Sequence, residues 1–183
     1  MIYDADELLR QSTPPSQEQL AKDWFALLKK YRVDAIVLSK AYQHFSDDNR
    51  CFYKRLAITL TFLSATLSVF STAKEGEWGH FVVQALSYIS LLLTGLLNVI
   101  DPSKKAQDAH QVALEFGEIA SNVEAFLSKK DVTESELQEQ LNLTRELLNT
   151  WKSLSPPMPD RYRKREEMKH SQRVRARTER KIQ

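Results

Sequence analysis

The side chains most able to carry catalysis or bind a metal are scattered along this chain of 183 residues. Its four histidines lie far apart, and none belongs to an HExxH motif. Its single cysteine, Cys51, excludes an intrachain disulfide and a cysteine zinc site. Its four glycines form no GxGxxG or GxxxxGK loop for a nucleotide. We therefore expect no catalytic residue, no metal site, no cofactor and no enzymatic activity.

The more informative polar residues lie inside two long apolar runs. Residues 56–73 and 81–100 contain no charged side chain. At about 1.5 Å per residue in a helix, each run is close to the thickness of a bilayer's hydrocarbon core. Hydroxyl and amide side chains recur in both runs at the spacing of a single helix face, namely Thr61, Ser64, Ser68 and Ser71, then Gln84, Ser87, Thr94 and Asn98.

These two polar stripes should not face lipid, because an unpaired amide in hydrocarbon costs several kcal/mol. One interpretation is that both stripes meet inside one hairpin, where small hydroxyls permit close helix approach. The other is that Gln84 and Asn98 lie at contacts between copies of the chain or along a hydrated lumen. We expect the second arrangement, and therefore a homo-oligomer.

The elements that would position these stripes form a membrane hairpin. Three basic residues precede the first run and two follow the second, against Lys74 alone in the intervening turn of residues 74–80. The positive-inside rule then places both termini in the cytoplasm of a multi-pass membrane protein, and Trp78 would be an interfacial anchor. The alternative is a buried hairpin within a soluble helical adaptor, which the seven Ser or Thr residues of the first run favour.

Amphipathic helices flank the hairpin, so the predicted fold class is all-α. Ser16 and Gln19 form a capping-box pattern before a first helix, and Asp101-Pro102 has the pattern of an N-cap followed by proline. Thr133 and Glu136 form a second capping-box pattern. The predicted organisation is an N-terminal arm (1–16), an amphipathic helix (17–55), a transmembrane hairpin (56–100), cytoplasmic helices (101–155), and a proline linker with a basic tail (156–183).

The basic tail has ten Lys or Arg and three Glu between residues 161 and 183. Too few of its residues are apolar to build a core, so in isolation it should be disordered or transiently helical. We expect it to bind anionic lipid or an acidic protein, with nucleic acid left open. The basic residues are Arg161, Arg163, Lys164, Arg165, Lys169, Arg173, Arg175, Arg177, Arg180 and Lys181.

A charge-free helical hairpin followed at once by Ala109-His110, Ala113, Phe116 and Glu124 resembles the SLATT family, the two-transmembrane effector domains associated with SMODS and SLOG proteins. The resemblance covers roughly residues 18–130. It implies an oligomeric effector that forms a pore or disrupts the membrane in antiviral defence or another conflict system. The alternative function is a structural membrane anchor of a larger assembly, such as a membrane-containing virus particle, whose basic tail docks on a partner.

Overall fold

A computed structural model describes residues 17–72 and 77–180, with side chains except at 17, 70–72, 77 and 78. These ranges form helices and their connections and contain no strand, which confirms the all-α class. The helices are α1 (Gln17–Thr72), α2 (Glu77–Ile100), α3 (Pro102–Leu127), α4 (Glu134–Leu154) and α5 (Asp160–Arg180).

The first helix, α1, is a single element of 56 residues. It contains neither proline nor glycine, so nothing in its backbone chemistry forces a break. The polar segment Asp47-Asp48-Asn49 is helical, and the Asn49 side-chain amide donates to the Phe45 carbonyl at 2.7 Å. The helix begins one residue after the predicted N-cap, Ser16, which lies outside the described residues.

The junction between α2 and α3 is a single residue, Asp101, with a positive φ of 40°. Its carboxylate accepts a hydrogen bond from the Lys104 amide at 3.1 Å, and Pro102 is the first residue of α3. The predicted N-cap and proline are therefore confirmed. Asp101 also takes the left-handed conformation that commonly ends a helix, so one residue both ends α2 and begins α3.

The predicted turn of residues 74–80 is too long, because α2 already begins at Glu77. Residues 73–76 lie outside the described part of the chain, as does the side chain of the proposed anchor Trp78. Glycine at position 79 is accommodated inside the helix, where a β-carbon would meet nothing within 4 Å.

The chain divides into two compact units, and the first combines residues up to Ile36 with Phe116–Ser153. Its core consists of Leu28, Val123, Phe126 and Leu137, against which Trp24 packs. The predicted capping box at the start of α4 is present, since the Thr133 amide donates to Glu136 Oε2 at 2.9 Å. These bonds with Thr133 hold the pKa of the Glu136 carboxyl below its usual range.

The sequence predicts one apolar stripe on α4, made of Leu137, Leu141, Leu147, Leu148, Trp151 and Leu154, and this prediction is correct only in part. Leu137 and Leu148 are buried, and Leu141 and Trp151 are half-buried, but Leu147 and Leu154 are exposed. One helix face cannot bury all of these leucines, because Leu147 adjoins Leu148 in sequence and points about 100° away from it.

The second unit combines Val37–Glu115 with residues from Leu154 onward. Within it α1 and α3 pack antiparallel, with the Ser39 hydroxyl donating to the Ala113 carbonyl and the Ser46 hydroxyl to the Ala106 carbonyl, each at 2.7 Å. Small side chains let the backbones approach closely enough for these bonds. The sequence predicts an apolar face on α3 made of Ala106, Ala109, Ala113, Phe116, Ala120, Val123 and Leu127. All of these residues are buried except Leu127, which is half-buried.

The apolar hairpin lies in this second unit and is largely uncovered. Among the described residues one helical stretch, within Gly79–Leu127, is long and apolar enough to span a membrane, and its most apolar window is not buried. That stretch contains the run of residues 81–100, so the structure leaves the first span of the predicted hairpin, residues 56–73, and with it the two-span hairpin, unconfirmed. The end of the first run falls on residues whose side chains are not described, from residue 70 onward.

Candidate functional site

The polar stripes of the hairpin lie on its surface, among residues of both apolar runs. Every predicted member with a described side chain is exposed, namely Thr61, Ser64, Ser68, Gln84, Ser87, Thr94 and Asn98. The interpretation in which the two stripes meet inside one hairpin is therefore wrong. Ser71 lies among the side chains that are not described.

Leucines, with the single hydroxyl residue Ser90, follow the half-buried face of each helix. In α1 the half-buried residues include Leu56, Leu60, Leu63 and Leu67, which recur at intervals of four, three and four. In α2 the half-buried positions include Leu86, Ser90, Leu93 and Leu97 at the same kind of interval. We call these two half-buried faces the leucine seams. Packing them against each other would bury apolar area in both helices, so we infer that they form the contact between α1 and α2.

The hydroxyls of the hairpin return to their own helix, as expected for such residues in an apolar setting. Thr61 donates to the Ala57 carbonyl at 2.9 Å, Ser87 to Val83 at 2.8 Å, and Thr94 to Ser90 at 2.8 Å. These bonds satisfy the hydroxyl protons without a second helix. Amides have two donors and an acceptor, and no hydrogen bond within the described residues involves the Gln84 or Asn98 side chain.

With the two leucine seams facing each other, both stripes would occupy the same side of the hairpin. At 100° per residue, the Thr61, Ser64 and Ser68 positions lie about 100° around α1 from its leucine seam. The Gln84, Ser87, Thr94 and Asn98 positions lie about 110° around α2 from its seam, in the same rotational sense. In an antiparallel pair the same rotation from facing seams points to one common side. We call this surface the polar side of the hairpin.

The polar side continues a contact surface that α1 uses elsewhere. Ser39 and Ser46, which hold α3, lie at roughly the same rotation about the helix as Ser64 and Ser68. At Ser39 and Ser46, that surface is covered by α3, at Ala113 and Ala106 respectively. Along the hairpin the equivalent surface is exposed at Ser64 and Ser68. Sequence reasoning missed Ser39 and Ser46, whose only signal was their seven-residue spacing.

A second cluster fixes the first turns of the basic tail to α1. The Tyr162 hydroxyl donates to Asp48 Oδ2 at 2.7 Å, and its ring meets Phe45 edge-on at 5.5 Å. Arg161 lies over the same ring at 4.9 Å. Burial and the hydrogen bond to Asp48 together raise the pKa of the Tyr162 phenol. The tail is therefore a docked helix, α5, and not a free segment.

Glu166 is the buried carboxylate of this cluster, one turn after Tyr162. It pairs with Lys169 of its own helix and lies 3.3 Å from His44 Nε2 of α1. Burial alone would raise the pKa of Glu166, but the bond and charge of Lys169 and the charges of His44 and Lys40 outweigh it, so the pKa is lowered. The sequence signal for this docking was an aromatic and an acidic residue four apart within a basic stretch.

Only some of the basic residues that were predicted to bind a partner make contacts within the docked helix α5. Arg161 contacts Tyr162, Arg163 pairs with Glu167, and Lys169 pairs with Glu166. The remaining described basic residues are exposed and make no ion pair within residues 17–72 and 77–180, namely Lys164, Arg165, Arg173, Arg175, Arg177 and Arg180. Lys181 lies outside the described residues.

Comparison with known proteins finds no family model, no curated protein and no solved structure that matches this chain. The resemblance to the SLATT family therefore stays a prediction from the sequence.

Proposed function

We propose that this chain is a two-span membrane protein that self-associates through the polar side of its hairpin. Acting as an effector, it would open or disrupt the bilayer, as the resemblance to SLATT domains implies. Both termini would lie in the cytoplasm, since five basic residues flank the hairpin there. The observation that carries the proposal is that the exposed amides Gln84 and Asn98 have no hydrogen-bond partner among the described residues and lie on an apolar helix whose most apolar window is not buried.

The uncovered apolar surface supports the membrane rather than the soluble interpretation. Phe62, Leu91, Leu92 and Val99 are between 69% and 85% exposed. A soluble adaptor would bury its apolar hairpin within its own core, whereas the most apolar window here is not buried at all. An apolar surface of this kind is stable only against lipid or another apolar surface.

Self-association would supply the hydrogen-bond partners that lipid cannot offer to the polar side. The outer face of α2 is apolar and suits lipid, but the polar side would present Gln84 and Asn98 to hydrocarbon without a hydrogen-bond partner. A second copy offers the same amides and hydroxyls in return, and small hydroxyl residues allow the close approach that membrane helices need. The contact between Ser39 or Ser46 and α3 is the same kind of packing within one chain.

The first prediction concerns the two amides. Gln84→Leu together with Asn98→Leu should leave membrane insertion intact but weaken self-association about tenfold or more, because each interhelical amide contact in a membrane contributes about 0.6–2 kcal/mol. The matched control is Thr59→Leu with Thr66→Leu, which removes exposed hydroxyls that bond to their own helix on the other side of the hairpin. Crosslinking in detergent and dye release from liposomes measure both properties.

The proposal fails if the amide variant remains as oligomeric and as active in dye release as the wild type. Normal oligomers that release no dye in any form of the protein would instead support the structural-anchor alternative. A loss of oligomers in the threonine control as well would mean that any substitution in the hairpin disturbs packing, which contradicts a specific polar side.

A further inference from the structure

The direction of α5 relative to the hairpin is fixed by its contacts with α1. Tyr162 bonds to Asp48, and Glu166, one turn later, meets His44, one turn earlier in α1. The two helices therefore run antiparallel. Because α1 continues from Asp48 into the apolar run without a break, α5 leads away from the hairpin.

This direction separates the end of α5 from the proposed bilayer. Asp48 lies eight residues, or about 12 Å, before the start of the apolar run. Arg173 and Arg180 follow Tyr162 by a further 16 Å and 27 Å or so along α5. At physiological ionic strength the potential of an anionic membrane decays over about 8 Å. Lipid of the membrane that holds the hairpin is thus too distant to be the partner of these arginines.

The end of α5 is also poorly suited to a protein partner. Every residue from Ser171 to Arg180 is exposed, and Val174 is the only large apolar side chain among them. Stable protein interfaces centre on buried aromatic or aliphatic anchors. Phosphate recognition needs no such anchor and is dominated by charge.

The basic residues in this segment are all arginines, namely Arg173, Arg175, Arg177 and Arg180. The guanidinium group binds phosphate oxygens in pairs, which lysine does not do. Three of the four recur at intervals of four and three on one side of the helix, across about 10 Å. That length matches about three phosphate-to-phosphate steps of one strand, at roughly 3.4 Å each along the duplex axis.

We propose that the end of α5, residues 171–180, binds the phosphate backbone of nucleic acid without sequence preference. The preference for nucleic acid over lipid depends on the proposed membrane hairpin. The charge and exposure of the segment are independent of that proposal. The absence of aromatic residues beyond Tyr162, which is buried against α1, makes base stacking an unsuitable mode.

The test uses the full chain in neutral detergent and a labelled 20-base-pair duplex of arbitrary sequence. Arg173, Arg175, Arg177 and Arg180 are changed together to Gln. The matched control changes four exposed lysines elsewhere, Lys29, Lys30, Lys130 and Lys152, to Gln, so both variants lose the same charge. The arginine variant should bind about 100-fold more weakly at low salt and lose about 3–4 units of the slope of log affinity against log salt.

Equal binding by the arginine variant and the lysine control, or no binding by the wild type, would overturn the proposal. Displacement of the duplex by polyglutamate of equal charge, at equal or lower concentration, would assign the surface to an acidic protein and overturn it also. Flotation with neutral liposomes tests the hairpin separately. A chain that floats without binding DNA rejects only the nucleic-acid site, and one that binds DNA without floating rejects the membrane hairpin.

Discussion

At the scale of single residues, Glu166 is the side chain on which docking of α5 most depends. It is 4% exposed and is shared between His44 of α1 and Lys169 of α5, with Lys40 nearby. Its folded pKa is lowered, so its contribution to docking is full above the unfolded value of about 4.3. The contribution is lost as the pH falls through the lowered folded value.

Glu166→Gln should therefore weaken the docking of α5 on α1 at pH 7. The variant should also lack the further weakening of docking that we expect of the wild type in acid. A hydrogen bond to a charged group contributes about 1.5–3 kcal/mol, so amides near residues 162–170 should exchange at least tenfold faster. Hydrogen exchange at pH 7 and at pH 3–4 measures this effect. The control is Glu167→Gln, an adjacent and half-exposed carboxylate. Equal protection in both variants would contradict the role of Glu166.

The sequence predicted which polar residues share a helix face, but not which neighbour that face meets. Periodicity places Thr61, Ser64 and Ser68 together because residues three and four apart lie on one side of a helix. Their exposure depends on the leucines beside them, since Leu56, Leu60 and Leu63 offer a second periodic face that buries more apolar area. When two sets of residues in one helix both have helical spacing, the sequence of that helix does not show which set contacts the neighbouring helix.

At the scale of elements, Asp101 joins α2 to α3 and has two separate roles. Its positive φ of 40° ends one helix, and its carboxylate caps the next. Asp101→Asn should keep both roles, because asparagine tolerates a positive φ and also caps. Asp101→Ala should destabilise the protein by about 1–3 kcal/mol through the lost cap and the strained backbone.

Denaturant unfolding in detergent distinguishes these two variants. Ser103→Ala, two residues further along α3, is the control for a change near the junction that alters neither the cap nor φ. Equal stability of the Asn and Ala variants would show that the junction is held by packing alone.

Helix ends were predictable where the signal is local. Asp101-Pro102 and Thr133 with Glu136 act within one turn, and both were identified from the sequence. The docking of α5 was not predicted, because the composition of the tail indicates only whether the isolated segment can fold. Tyr162 and Glu166 become buried only through Asp48, Phe45 and His44, more than a hundred residues away.

At the scale of the whole molecule, the exposed apolar surface of α2 supports the proposal of a membrane protein. Leu91 and Leu92 lie at the middle of the second apolar run and are 72% and 69% exposed. In water, arginine at both positions would cost little. At the centre of a bilayer each arginine costs about 2.5–3.5 kcal/mol, so Leu91→Arg with Leu92→Arg should abolish resistance to carbonate extraction.

The control for that experiment is Leu143→Arg with Leu154→Arg, which changes two exposed leucines of α4 and should leave extraction unchanged. Retention of the Leu91 and Leu92 variant in the membrane pellet would contradict a span through the bilayer.

The side of α1 on which α5 docks has a further consequence. His44 and Asp48 lie nearly opposite the rotation of Thr61, Ser64 and Ser68 about the same helix. A nucleic acid bound to α5 therefore leaves the polar side open to a neighbouring copy. One long strand would then hold several chains at once and raise their effective concentration in the plane of the membrane. Assembly of the hairpins would then increase with the length of the bound nucleic acid. Short oligonucleotides would bind tightly without bringing several chains together.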